Sequence, residues 1–274
     1  MNLKQKAIDL AAVYKQNVKI EAILLAGSVS RNLNDEHSDI EIHILWETPP
    51  EDQDRHLPIQ LVGGSILTYH PYEEEEWSES FLTKEGMKVE ISNFLSFTVE
   101  RFISDVVDRF ETNYDKQCVV ASIHDGVILY GEEQIKELKK RISDYPLALS
   151  KQMISENLWL GNRWNNRNAL LNRKDWLMLY EVFCEVQKKL FGVLFGLNQM
   201  YVHHPAFKWM NNNIEQMTIK PEKLYERMST ILIDSPENSV KELEALIEEV
   251  LVLVESYIPD LNLCEQKNQI RFAK

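Results

Sequence analysis

The stretch Leu24-Leu25-Ala26-Gly27-Ser28-Val29-Ser30-Arg31, Asn32-Leu33-Asn34-Asp35-Glu36-His37-Ser38, Asp39-Ile40-Glu41-Ile42-His43-Ile44 decides the reading of this chain. A hydrophobic strand ends in Gly-Ser, ten residues intervene, and a second strand opens with Asp-x-Glu. Side chains two apart on a strand share a face, so Asp39, Glu41 and His43 point one way while Ile40, Ile42 and Ile44 pack the other. Two carboxylates so placed repel each other, and a divalent cation between them removes the repulsion. Hard Mg²⁺ takes oxygen ligands and shares them with substrate phosphates. Gly27 lets the backbone come close to a bound group, the Ser28 hydroxyl and nearby amides can hold terminal phosphates, and Arg31, one turn further on, can pair with them. Taken singly, Gly-Ser is a common turn and Asp-x-Glu the wet face of an edge strand; the combination at this spacing carries the reading.

A third carboxylate is expected on an adjacent strand, and Met87-Lys88-Val89-Glu90-Ile91-Ser92-Asn93-Phe94 supplies Glu90. Val89 and Ile91 pack on one face, which sends Glu90 to the other, as a further metal ligand or as a base for the attacking group.

These motifs resemble those of the DNA polymerase β-like nucleotidyltransferase superfamily: hydrophobic-Gly-Ser, a spacer, then Asp-hydrophobic-Asp/Glu. Gly27 to Glu41 is most similar to the kanamycin (aminoglycoside) nucleotidyltransferase branch, where Gly-Ser-x-x-Arg is also followed by Ser-Asp-Ile-Glu. Lys88-Val89-Glu90 resembles that branch's third-carboxylate strand. The resemblance covers about the first 95 residues. It implies Mg²⁺-dependent transfer of a nucleoside monophosphate, AMP from ATP, to an acceptor hydroxyl, with one or two ions. Asp39, Glu41 and Glu90 would bind metal and form the catalytic centre, and Gly27, Ser28, Arg31 and Ser38 would hold the nucleoside triphosphate. In-line attack at phosphorus needs this set: cations bridging attacking and leaving oxygens, donors on the departing phosphates and a base near the hydroxyl.

In that branch a glutamate of the second domain, close before a basic-Trp pair, is the general base. Arg163-Trp164 matches the pair here, but the base position falls on Trp159, so Glu156, one turn earlier, is the substitute catalytic candidate. The competing reading makes Glu156 an acid in the first turn of a helix capped by Ser155. Glu181 and Glu185 are further candidates with no better claim. A helix over 151–171 would align Glu156, Leu160, Arg163 and Arg167 on one face, with the two arginines against triphosphate charge. The segment Leu197-Asn198-Gln199-Met200-Tyr201 to Lys208-Trp209 resembles a stretch of uncharacterised helical domains that accompany such nucleotidyltransferases. His203 and His204 are read as turn residues.

Of the nine glycines, six fall among the first 131 residues. They lie among short β-branched runs that predict strands over Ile20–Leu25, Ile40–Trp46, Ser65–Tyr69 and Lys88–Phe94, after a helix over 3–16. Beyond Leu147 the pattern is helical, with spans at 151–171, 175–197 and 238–256 and shorter ones near 206–217 and 221–231. Tyr180, Phe183, Cys184, Val186, Gln187, Leu190 and Phe191 form a core-facing stripe. The expectation is an α+β nucleotidyltransferase domain over 1–145, a short mixed sheet with flanking helices, followed by an all-α helical bundle over 146–274.

Composition bounds the partners. Of the 274 residues, 43 are acids and 30 bases, a net charge of −13, which repels polyanions and argues against a grip on long nucleic acid. The first 150 residues hold 27 acids and 15 bases, while 151–212 carries eight bases and four acids. A cationic, aminoglycoside-like acceptor suits such a wall, and a metabolic acceptor does so equally. Glu73 to Glu76 reads as a solvated loop. Three cysteines without CxxC exclude a disulfide framework and a thiolate zinc site and are read as buried small hydrophobes. The chain shows no apolar run long enough for a membrane span and opens without a signal peptide's apolar centre, so no membrane and a cytoplasmic location are expected. The expected partners are a nucleoside triphosphate and a small-molecule hydroxyl acceptor. A homodimer is expected because the kanamycin branch completes its sites between subunits. The alternatives are a protein-modifying, AMPylating member of a partnered system and an inactive nucleotide-binding module.

Overall fold

Two strands of the motif region, β2 (Ile40–Trp46) and β5 (Lys88–Leu95), run parallel at the centre of a six-stranded sheet. This computed structural model describes residues 2–259 and 261–271. The sheet order is β3-β4-β5-β2-β1-β6, with β1 (Ile20–Leu25), β3 (Ser65–Tyr69), β4 (Trp77–Leu82) and β6 (Val127–Tyr130), and every pairing except β2 with β5 is antiparallel. Ile40, Ile42, Ile44, Val89 and Ile91 form one apolar face under α1 (Leu3–Tyr14), whose Ala7, Leu10, Ala11 and Tyr14 close the core with Ile59 of α3 (Asp52–Leu61). Asn2 caps α1 by accepting from Gln5 N. Period-two alternation and this one-sided core fix the register, since a slip of one residue would bury the carboxylates.

Between β1 and β2 the chain makes a four-residue helix, α2 (Gly27–Ser30). After β5 come α4 (Ser96–Ile103), which runs on through a π turn at Ser104–Asp108, α5 (Tyr114–Asp125) and α6 (Glu132–Ile142). The strands β4 and β6 and the helices α3, α5 and α6 were not legible: β4 reads Trp-Ser-Glu-Ser-Phe-Leu, where a buried Glu79 breaks the apolar pattern.

The chain divides into two compact units, one of residues 1–109 and 115–144 and the other of 110–114 and 145–274. The second is helical. Its centre is α10 (Trp176–Leu197), packed by α7 (Leu147–Asn157) and α13 (Pro236–Tyr257), with α8 (Asn162–Asn165), α9 (Arg167–Arg173), α11 (Met210–Gln216), α12 (Leu224–Ile233) and α14 (Cys264–Arg271) around it. At 22 residues each, α10 and α13 are about 33 Å long. Phe183, Val186, Gln187, Leu190 and Phe191 face inward along α10, as their spacing predicts, whereas Tyr180 of the same expected stripe is half-buried and Cys184 is exposed.

Three expectations are corrected. The helix over 151–171 is three pieces, because the chain leaves α7 at Leu158 and turns at Gly161, whose φ of +83° favours glycine. Cys184 and Cys264 are exposed, and Cys118 alone is partly buried, its thiol pushed up to about 12 by that burial. Glu76 is half-buried instead of solvated, and Glu75 pairs with Arg101 at 2.6 Å. No described helix is long and apolar enough to cross a membrane.

Candidate active site

Gly27 begins α2 with a φ of +63°, and a Cβ built on it would stand 2.5 and 2.6 Å from the two carboxylate oxygens of Glu41. A side chain at this strand-end turn would therefore be strained by its conformation and would have to displace the Glu41 carboxylate. Ala26 N donates to Glu41 O at 2.9 Å, which ties the turn to β2. Ser28 is buried in the first turn of α2, and Ser30 Oγ donates back to Gly27 O at 3.0 Å.

The parallel register sets Glu41 beside Glu90 and Ile40 beside Val89, so Asp39 and Lys88 are each one step outside that last pair. Asp39, Glu41, Lys88 and Glu90 leave the face opposite the Ile40–Val89–Ile91 core, as the alternation predicts. Lys88 Nζ donates to Asp39 Oδ2 at 3.3 Å and to Glu90 Oε1. The bond to Glu90, then that to Asp39, raises the pKa of the ammonium. The reading from sequence gave Lys88 no role, although its spacing of two from Glu90 places it on the carboxylate face.

His43 lies further along that face, edge-on to Phe94 with ring centroids 5.5 Å apart. Burial pulls its imidazole down to about 4, so it stays neutral at physiological pH and adds no charge to the face. Arg31 is largely covered, 4.0 Å from Asp125; burial lowers its pKa and Asp125 opposes that. Ser38 holds the spacer loop: its Oγ accepts from Asp35 N at 2.9 Å and donates to Asp35 Oδ1 at 3.1 Å. Ser38, Asp39 and Lys88, with Asn34, Asp35 and Met87, line a cleft of about 540 Å³.

Three carboxylates, oxygen donors only, suit a hard divalent cation in kind. Two of them, Asp39 and Glu90, are paired with the Lys88 ammonium, and among the described residues no three His, Cys, Asp or Glu side chains stand together as a ready metal cage. Asp39, Glu41 and Glu90 are the residues that would hold the ion.

The remaining candidates belong to the helical unit. Glu156 sits in the last turn of α7, not at a helix start, where Thr112 Oγ1 and Gln152 Nε2 donate to it. The Ser155 cap is thereby ruled out. Arg163, on α8, pairs with Glu181 at 2.9 Å and lines a cleft of about 480 Å³ with Trp176 and Met178. Arg167, on α9, is fully buried, 2.7 Å from Glu244 with its guanidinium 4.3 Å from the centroid of Trp164. The three thus lie on three separate helices, and the single face joining them does not exist. Arg167 acts as an interior ion pair of the bundle.

The sheet unit is a mixed β-sheet with flanking helices, with Gly27 and Ser28 just past the carboxyl end of β1 and the acids Asp39, Glu41 and Glu90 at the amino ends of β2 and β5. Residues 112–210 match a family model described as "Domain of unknown function (DUF4037)", about a third of the chain. No curated protein sequence matches. Among solved structures, an aminoglycoside 6-adenyltransferase from Bacillus subtilis is similar with a TM-score of 0.40 at 9% identity, covering 100% of this chain and 97% of that one. The CCA-adding enzyme of Thermotoga maritima, complexed with tRNA, gives 0.31 at 13% over 97% of this chain and 68% of its own. The Cid1 poly(U) polymerase gives 0.28 at 11%, over 44% of this chain and 39% of its own, so the chain spans well under two thirds of that protein. At these TM-scores the likenesses carry no argument.

Proposed function

We propose that this chain is a nucleotidyltransferase that moves a nucleoside monophosphate, AMP from ATP, to a hydroxyl of a small molecule. The observation that carries this reading is the fit of Glu41 over Gly27: a strand-end turn where any side chain would displace the carboxylate, next to the buried Ser28 and with that carboxylate's residue in register with Glu90. A generic turn has no use for both constraints. Gly27 and the amides of α2 would receive the departing phosphates, and Ser28 would donate to them. Asp39, Glu41 and Glu90 would hold Mg²⁺, which when bound supplies the positive charge that in-line displacement at phosphorus requires. Glu90 would take the acceptor's proton. The acidic wall of the first 150 residues favours a cationic acceptor such as an aminoglycoside-like amine.

A second reading, a nucleotide-binding module without catalysis, is favoured by one observation: Lys88 already neutralises part of the carboxylate cluster. Thermal shift of the full chain against the four ribonucleoside triphosphates, with and without Mg²⁺, separates the two when paired with an acceptor screen reading pyrophosphate release. Metal-dependent stabilisation by one triphosphate, lost in Asp39→Asn and followed by turnover with an acceptor, supports the transferase. Stabilisation without turnover on any small hydroxyl or protein acceptor supports the module, and no stabilisation at millimolar triphosphate rejects both.

A further inference from the structure

Lys88 makes contacts at the site that the proposed transfer leaves unexplained. It lies two residues before Glu90 on β5 and across the parallel register from Asp39, so its ammonium reaches carboxylates on two strands at once. Its side chain is 42% exposed and lines the 540 Å³ cleft, with solvent space to swing into. An isolated surface ion pair contributes little, because solvent screens it and holding two long side chains costs entropy. Here one ammonium bridges Asp39 and Glu90, so that its attractions to the two add and the repulsion between them is relieved. The place it fills is where a divalent cation bound by the same oxygens would need to be, and two cations within a few ångströms repel.

We propose that Lys88 is a built-in counter-ion that keeps the carboxylate cluster assembled in the metal-free protein and is displaced when a divalent cation binds, so that it sets the cation affinity of the site. The proposal rests on the reading of Asp39, Glu41 and Glu90 as the cation ligands. Lys88 is a positioning residue: it acts through the carboxylates it pairs with, and it weakens cation binding while holding the ligands in place.

The test is Mn²⁺ binding to the full-length protein without nucleotide, followed by calorimetry and by paramagnetic relaxation of water protons. Wild type, Lys88→Met and Lys88→Arg are compared, each with its melting temperature in chelator. Lys88→Met is expected to bind Mn²⁺ about tenfold tighter, from removal of a unit charge a few ångströms from the ion. It is also expected to melt lower in chelator and to recover that loss when Mn²⁺ is added. Lys88→Arg, which keeps the charge, is expected to stay near wild type. A merely structural lysine would give equal or weaker binding in Lys88→Met, and that result overturns the proposal while leaving the nucleotidyltransferase reading intact. Absence of Mn²⁺ binding in wild type and both variants overturns the cation site and this proposal with it. Should Lys88→Met fail to fold, Lys88→Gln, which keeps a polar donor but no charge, takes its place with the same expected tightening.

Discussion

Gly27→Ala probes the site where two independent constraints meet. The left-handed φ of +63° costs an alanine about 1–2 kcal/mol relative to glycine. The added methyl would also stand 2.5 and 2.6 Å from the Glu41 oxygens, whereas ordinary contact begins near 3.4 Å. The carboxylate must therefore retreat by about 1 Å. It is the far end of a flexible side chain, so the retreat adds little to the loss of stability, and the fold survives with its melting temperature about 2–8 °C lower. The cost falls on function: a 1 Å misplacement of a positioned catalytic group lowers rates on the order of 10²-fold. Gly86→Ala supplies the comparison, since Gly86 has a φ of +79° and open space around its Cβ position, so only the strain operates there. Both variants are measured by calorimetric melting with and without Mg²⁺ and triphosphate. The expected outcome is a similar loss of stability in each and a loss of ligand-induced stabilisation much larger in Gly27→Ala. Equal ligand response in the two variants would refute the argument that Glu41 over Gly27 builds the site.

Glu76 tests a pH dependence. Burial, reinforced by Glu74 and then Glu79, raises its carboxyl from 4.5 to about 7. An acid with a raised folded pKa costs nothing below about pH 4.5, where both states are protonated; its destabilisation builds as pH rises from 4.5 to about 7 and is complete above that. Glu76→Gln should raise stability at pH 8 by about 1–2 kcal/mol after allowance for solvent screening and leave it unchanged at pH 4.5, as urea titrations at both pH values would show. Arg55 and Glu79 form an interior pair at 2.6 Å, with Arg55 also donating to the carbonyls of His70 and Ser78; Arg55→Met should cost roughly 3–5 kcal/mol by leaving the buried Glu79 carboxylate with no cation and only the Asn93 amide as donor, checked by chemical denaturation. Arg167→Met should destabilise the helical unit by a similar amount, through the loss of Glu244 and Trp164 as partners. If instead it melts like wild type while triphosphate affinity falls, Arg167 belongs to the nucleotide after all.

Much of the site was legible because it depends on short-range rules. Alternation along Asp39-Ile40-Glu41-Ile42 fixes which residues share a face whatever the rest of the chain does, and Gly-Ser at a strand end reports a tight backbone whatever follows. The strands β1, β2, β3 and β5 and the helices α10 and α13 were likewise recoverable, since long apolar periodicity is written within each element. The strand β4 and the helix α3 were not, because the buried pair of Glu79 and Arg55 puts charge where a core pattern expects hydrocarbon, and each charge is tolerable only with the other in place. The break of the 151–171 helix at Gly161 escaped for a related reason. A glycine inside a helical pattern is ambiguous until the packing of Trp164, fully buried, demands the turn.

The local chemistry is written in short stretches of chain: three carboxylates, a glycine at a tight turn, a hydroxyl beside it, and the faces on which they lie. Which of these groups meet depends on the long-range pairing. Parallel pairing of strands some 50 residues apart sets Glu41 beside Glu90 and brings Lys88 to Asp39, and no pattern within either strand encodes that register. Tertiary packing also sent Arg167 into the interior of the bundle, because a guanidinium can be buried only where a carboxylate and an aromatic face await it, and those partners come from Glu244 and Trp164. Periodicity reports the direction in which a side chain points; which group it meets there is a property of long-range closure, whose energetics no local window contains.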